Sequence, residues 1–243
     1  MKRPIFLFTL FFLLALTLAS AQEKGTLSTY RILPMNGKDA ALKKAITAHV
    51  TRYHTGNWKW RVFSILSGPD EGGYMLNEGP NSWTELEGRK EISDEHQRDY
   101  ETTIAPLVEK TIPNLYMMFD KERSSADVGA TFKKALLRHY YLKPGKGPRL
   151  TNYLTTWKRV YDKLGLKVTV WRSFFSGRPQ VTVAFRLVNG WVELEKPVGK
   201  EMREAFDEFG GAGAYARYME DLDKIVDRID EEMIELLPDL SSK

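Results

Sequence analysis

The residues of this 243-residue chain that could do chemistry are its four histidines and a few arginines set among apolar neighbours. An imidazole can move a proton near neutral pH or ligate a metal ion. His139 falls in a strand-like run and His96 in a helical one. His49 sits beside the apolar stripe of a helix and reads as packing, while His54 lies at that helix's end, where an imidazolium favours the dipole. Arg172 shares a strand face with Val168, Val170 and Phe174, and Arg186 shares one with Thr182 and Ala184. If both faces line an interior, Arg172 and Arg186, with Trp60 and Trp171 beside them, form a cationic, aromatic-walled pocket for a small anionic or aromatic molecule. The alternative is that each arginine pairs with a nearby acid such as Glu193 or Glu195.

Other chemistries lack their residues. With no cysteine, thiol catalysis and cysteine-ligated metals are excluded. No His-Glu-x-x-His or calcium-loop pattern occurs, and Asp94-Glu95-His96 reads as an acidic first helical turn, so no metal is expected. Gly-x-Ser-x-Gly is absent; Ser67 and Ser176 each precede a glycine in a tight turn. Gly210-Gly211-Ala212-Gly213 lacks the strand-then-lysine context of a phosphate loop and reads as a helix break. No cofactor is therefore expected.

The elements that position these residues belong to a globular chain. Hydrophobic residues make up 42% and charged residues 28%, and 36 basic against 32 acidic residues give a net charge of +4 without long like-sign runs, which argues against nucleic acid. Lys2 and Arg3 precede an apolar run from Ile5 to Leu18, followed by Ala19-Ser20-Ala21. This is the pattern of a signal peptide over residues 1–21 cut after Ala21, and it predicts a secreted or periplasmic protein with no stable membrane insertion after cleavage.

An internal repeat organises the remainder. Gly37-Lys38 matches Gly145-Lys146, Tyr53 matches Tyr161 and Trp83 matches Trp191, all at an offset of 108. Trp60-Arg61 matches Trp171-Arg172 at 111, and Ser-Trp-Thr-Glu-Leu-Glu at 82–87 matches Gly-Trp-Val-Glu-Leu-Glu at 190–195. The halves, 22–125 and 126–243, each read as strand, helix, strand, strand, helix, strand. In the first, Leu27–Leu33 is a strand. Asp39–His54 is a helix with Leu42, Ile46, Val50 and Tyr53 on one stripe. Trp58–Leu66 and Gly73–Glu78 form a hairpin, Ser93–Lys110 a second helix with Ser93 as N-cap, and Leu115–Phe119 the last strand. In the second, the same order runs through Leu136–Leu142, Arg149–Leu164, Lys167–Phe175, Gln180–Val188, Met202–Val226 broken near Gly210, and Met233–Leu237. Trp83 and Trp191, present in both halves, read as wedges against the sheet.

A βαββαβ unit leaves one sheet face bare, and two units cure this by packing sheet on sheet. With this element order, the Gly-Lys helix openings and the paired Trp-x-Glu-Leu-Glu segments, the chain resembles the dimeric α+β barrel superfamily over residues 27–242. The resemblance implies an α+β fold of two tandem ferredoxin-like units closing an intramolecular barrel, and a monomer or weak homo-oligomer. It implies no single function, since the superfamily holds haem-degrading and quinone-forming monooxygenases, dye-type peroxidases and stress-response proteins. Haem-degrading members use an Asn on the first strand, a Trp, and an iron-ligating His on the second helix. Trp83 and His96 resemble the latter two, but Leu27–Leu33 contains no Asn. The superfamily places ligand contacts on strand faces and on the second helix, so the resemblance makes His139 and His96 the candidate histidines for ligand contact. The expected function is small-molecule binding between the sheets, with a monooxygenase-like enzyme or a partner-binding envelope protein as the alternatives.

Overall fold

A computed structural model describes residues 24–89, 92–173 and 181–243. The first half runs β1 (Thr26–Pro34), α1 (Asp39–Tyr53), β2 (Trp60–Ile65), β3 (Tyr74–Asn81), short helices α2 (Trp83–Glu87) and α3 (Asp94–Asp99), and β4 (Val108–Phe119). The second runs β5 (Lys134–Leu142), α4 (Gly147–Leu164), β6 (Val168–Ser173), β7 (Val181–Leu187), α5 (Gly199–Gly210), α6 (Ala214–Ile225) and β8 (Val226–Leu236). The proposed signal peptide and the Ser176-Gly177 turn lie outside the described residues.

The eight strands close one antiparallel barrel in the order β1-β3-β2-β8-β5-β7-β6-β4. Each half contributes four contiguous strands, and the halves join where β2 pairs β8 and where β4 pairs β6. Closure removes the open edges that a lone four-stranded unit would expose.

Alternation along each strand serves two cores. On the helix side of the first half, Ile32, Val62 and Leu76 meet Leu42, Ile46 and Val50 of α1. On the helix side of the second, Val170 and Val183 meet Leu150, Leu154, Trp157 and Phe206. Inside the barrel, Phe63, Ile65, Met75, Ala135, Leu137, Ala184 and Ile234 pack together. Fully burying one such aliphatic side chain stabilises by about 1.5–3 kcal/mol, so these three clusters hold the barrel and its helices together.

Three expectations about the elements need correction. The second helix does not continue to Lys110: α3 gives way at Tyr100 to a wider turn and then a tight turn at Ala105–Leu107, and β4 starts at Val108. Pro106, with no backbone N–H, cannot continue the helical ladder. The last strand starts at Val226, immediately after α6, and not at Met233. The matched Trp-Arg pairs are not structurally equivalent. Trp60 heads β2 and faces Glu78, whereas Val168 heads β6 and faces Phe185, so the strands correspond at the same offset of 108 as the other anchors. Phe63 therefore stands where Trp171 stands.

Candidate functional site in the barrel interior

A cavity of about 550 Å³ occupies the barrel between the sheets. Its walls include Leu27, Thr29 and Arg31 of β1, Arg61 and Phe63 of β2, Asn77 of β3, Leu115 of β4, His139 of β5, Thr169 and Trp171 of β6, Thr182, Ala184 and Arg186 of β7, and Glu232 of β8. The wall mixes apolar and aromatic side chains with charged and polar ones.

One polar network crosses the junction of the two halves. Glu232, 1% exposed, receives Arg31 Nη2 on Oε1 at 2.5 Å and Nη1 on Oε2 at 2.8 Å, a two-pronged pair. His139 Nε2 lies 2.9 Å from the same Oε1, and His139 Nδ1 lies 2.9 Å from Thr182 Oγ1. Asp70, in the β2–β3 turn, accepts from Arg31 Nη1 at 2.9 Å. Burial by itself raises the Glu232 carboxyl; the His139 hydrogen bond and the Arg31 guanidinium outweigh it and hold the group below its ordinary range. An ionised carboxylate only accepts, so His139 carries a proton on Nε2; in the neutral tautomer Nδ1 then accepts from the Thr182 hydroxyl.

The turn of residues 67–70 fixes this network. Gly68 has φ +97° and runs so close to β8 that a Cβ there would lie 2.9 Å from Glu232 Cβ and 3.1 Å from the Glu231 carbonyl oxygen. Ser67 Oγ accepts from the Met233 N–H at 3.0 Å. The glycine supplies both the positive φ and the space.

A second cationic group lies along the wall. Arg186 donates to the carbonyls of Asp127, Val128 and Ala130, and its Nε is buried without a hydrogen-bond partner. Its guanidinium sits 5.1 Å from the Phe132 ring centre. Burial, reinforced by the charge of nearby Arg61, pushes Arg186 down to about 10. Arg61 lines the cavity, and among the described residues no carboxylate pairs with it. Thr29 Oγ1 and Asn77 Oδ1, on residues of the same wall, are buried without hydrogen-bond partners.

Of the six residues singled out from the sequence, Arg186, His139 and Trp171 line the cavity and Arg172, Trp60 and His96 do not. Thr169 and Trp171 point inward, so Val168, Val170 and Arg172 face the helices; Arg172 Nε donates to Asp120 at 2.6 Å and its Nη2 to Thr151 at 2.9 Å, not to Glu193 or Glu195. Trp60 lies on the helix side, stacked on His54 at 3.6 Å with its Nε1 donating to Glu78. His54 is not an exposed imidazolium at a helix end. It is 1% exposed, and burial, with the charges of His49, His96 and Arg89 adding to it against the Trp58 carbonyl, pushes it down to about 3. Trp191 is not a wedge either: it is 51% exposed, with Lys134 over its ring. Arg31, Arg61 and Glu232 are the wall residues that sequence reasoning missed.

His96 does not fit a haem site. Its ring sits on the helix side of the sheet, with its Nε2 3.2 Å from His54 Nε2 and its ring centre 4.8 Å from that of His49. The rings of His49, Tyr53 and His54 pack around it, and the barrel cavity does not reach it.

No family model and no curated protein matches this chain. Solved structures do. An anthrone oxidase-like protein aligns at a TM-score of 0.58 with 12% identity, over 88% of this chain and 92% of that one. A candidate monooxygenase from Fusobacterium nucleatum aligns at 0.56 with 10% identity, over 87% and 92%. A mutant chlorite dismutase from Candidatus Nitrospira defluvii aligns at 0.56 with 7% identity, over 90% and 93%. The chain thus has the dimeric α+β barrel fold, with both units in one polypeptide. At these identities the likeness defines the fold alone.

Proposed function

We propose that the barrel interior binds one small anionic, aromatic molecule in an exported protein. The observation that carries the reading is the cavity with Arg61 and Arg186 on its wall, the former without a carboxylate partner among the described residues, beside the rings of Phe63, Phe132 and Trp171. An anion entering there neutralises charge that the protein leaves unbalanced, and an aromatic body covers the rings. Export rests on the basic start, the apolar run and the Ala19-Ser20-Ala21 sequence.

The test uses 1-anilinonaphthalene-8-sulfonate, an anionic aromatic fluorophore, titrated into the mature chain. The expected result is one saturable site, weakened about tenfold or more in Arg61→Met and in Arg186→Met and unchanged in His96→Gln. Absence of a saturable site, or equal affinity in all variants, overturns the reading. Intact mass of the protein recovered from an exporting host tests the export reading, with Gln22 expected as the first residue.

The Glu232–His139–Thr182 series favours a second reading, proton transfer on the bound molecule. Thr182 Oγ1 can pass its hydrogen to His139 Nδ1 and take one from an acidic C–H or O–H, while Glu232 stabilises the imidazolium so formed. An anthrone oxidase-like protein and a candidate monooxygenase are among the proteins of similar fold. Oxygen uptake with anthrone as the probe tests it: turnover lost in His139→Gln, with fluorophore binding retained, supports proton transfer, and no uptake by the wild type removes it.

A further inference from the structure

Three of the four histidines in the chain converge on the helix side of the first half, away from the barrel cavity. His49 lies in the last turns of α1, His54 caps that helix, and His96 lies in the first turn of α3, where its backbone N–H bonds to Ser93 Oγ at 3.0 Å. One nitrogen from each ring can be chosen so that all three lie within 4.8 Å of one another, and all three residues are buried. We infer that His49, His54 and His96 form a site for one divalent transition-metal ion of the class that prefers imidazole, zinc foremost.

The geometry beyond the three rings supports this. Asp99 Oδ2 lies 2.7 Å from His49 Nδ1, and the Trp58 carbonyl lies 2.9 Å from His54 Nδ1. Both are acceptors, so each fixes the proton of its ring on Nδ1 and leaves the Nε2 lone pair for a metal. This carboxylate– or carbonyl–imidazole arrangement is the one found behind metal-ligating histidines. Zinc–nitrogen bonds of about 2.0–2.1 Å place tetrahedral ligand nitrogens about 3.3 Å apart. His54 Nε2 and His96 Nε2 are already 3.2 Å apart, and a His49 nitrogen lies within 4.8 Å of the other two ligand atoms. Three imidazoles leave a fourth position for water or another donor. Asp99 lies against the cluster and offsets part of a dication's charge, while Glu78, 3.7 Å from His54 Nδ1, is already paired with Arg89.

Packing alone does not call for these residues. In the second half the equivalent space between helices and sheet is filled by Trp157, Phe206 and Tyr218, an all-aromatic cluster. The first half instead buries three imidazole rings that converge, with His54 Nε2 and His96 Nε2 in hydrogen-bond contact. With no cysteine in the chain, imidazole is the softest nitrogen donor available, and borderline ions such as zinc, cobalt and nickel are those it selects.

The test takes the untagged mature chain, strips it with a chelator and titrates it with cobalt(II), whose visible ligand-field bands report imidazole coordination, followed by competition with zinc. One equivalent is expected, displaced by zinc. His96→Gln should lose the bands, Asp99→Asn should weaken binding about 10–100-fold, and His139→Gln, which removes the fourth histidine, should leave the cobalt bands as in the wild type whatever it does to the barrel site. Should His96→Gln not fold, nuclear magnetic resonance of the wild type decides: zinc must shift three imidazole spin systems and leave the fourth. The inference is overturned if folded wild type shows no cobalt bands at one equivalent, if His96→Gln binds as the wild type does, or if zinc moves only His139.

Discussion

Arg31 and His139 stand at equivalent positions of the two halves, and both bind the Oε1 of a single carboxylate, Glu232. In each half the row crosses the sheet through that position: Arg31, Met75 and Phe63 in one, His139, Thr182 and Trp171 in the other. A duplicated frame thus presents a cation from one copy and an imidazole from the other to one shared acid. The asymmetry gives the barrel one such network where two copies of one unit could have given two.

Removing the shared acid leaves Arg31 and His139 without their main partner. Glu232→Ala should destabilise the protein toward the lower end of the about 3–5 kcal/mol typical of breaking a buried ion pair, because Asp70 still receives Arg31. Urea denaturation of the two proteins at neutral pH checks this.

Acid should remove the same contribution. The folded Glu232 carboxyl is held below its ordinary value of 4.5, so its stabilisation is fully present above that value and is lost as pH falls through the lower, folded one. The stability gap between wild type and Glu232→Gln should be widest near neutrality and narrow steadily in the acid range below the ordinary carboxylate value, read from urea midpoints across pH.

Gly68→Ala should act on the site from outside the cavity. The substitution forces an L side chain to φ +97° and against Glu232 Cβ, a strain of order 1–3 kcal/mol. A lower melting temperature together with altered fluorophore affinity is the expected pair of effects. A fully wild-type melting temperature would contradict the described turn.

Arg172→Ala separates a helix-side role from a cavity role. Its loss leaves the buried Asp120 carboxylate short of a partner, though Arg123 remains, and should cost about 1–3 kcal/mol of stability. Fluorophore affinity should stay as in the wild type.

Much of the frame was legible in the residues. The offset of 108 marks the duplication, and the stripe of Leu42, Ile46 and Val50 marks α1 and its buried face. The inner and outer faces of β6 were not legible, because Val168 and Val170 are as apolar as any barrel-facing row; only closure shows that Thr169 and Trp171 turn inward. The repeated Trp-Arg pair misled for the same reason, since two dipeptides can match in sequence while their strands pair three residues out of step. Glu232 ends the acidic run Asp230-Glu231-Glu232, between the helix and the strand read from the sequence, and only its pairing beside β5 buries it. The histidines at 49, 54 and 96 follow no metal-ligand spacing, because the fold, and not a local motif, brings α1 and α3 together.

The central claim is that the barrel interior is a binding site, and filling that interior tests it most directly. Leu115 lines the cavity from β4, and Leu115→Trp places an indole in the space a ligand would take. The account predicts that this variant, with far-ultraviolet circular dichroism unchanged, loses saturable binding of 1-anilinonaphthalene-8-sulfonate. Undiminished binding in the folded variant would contradict it.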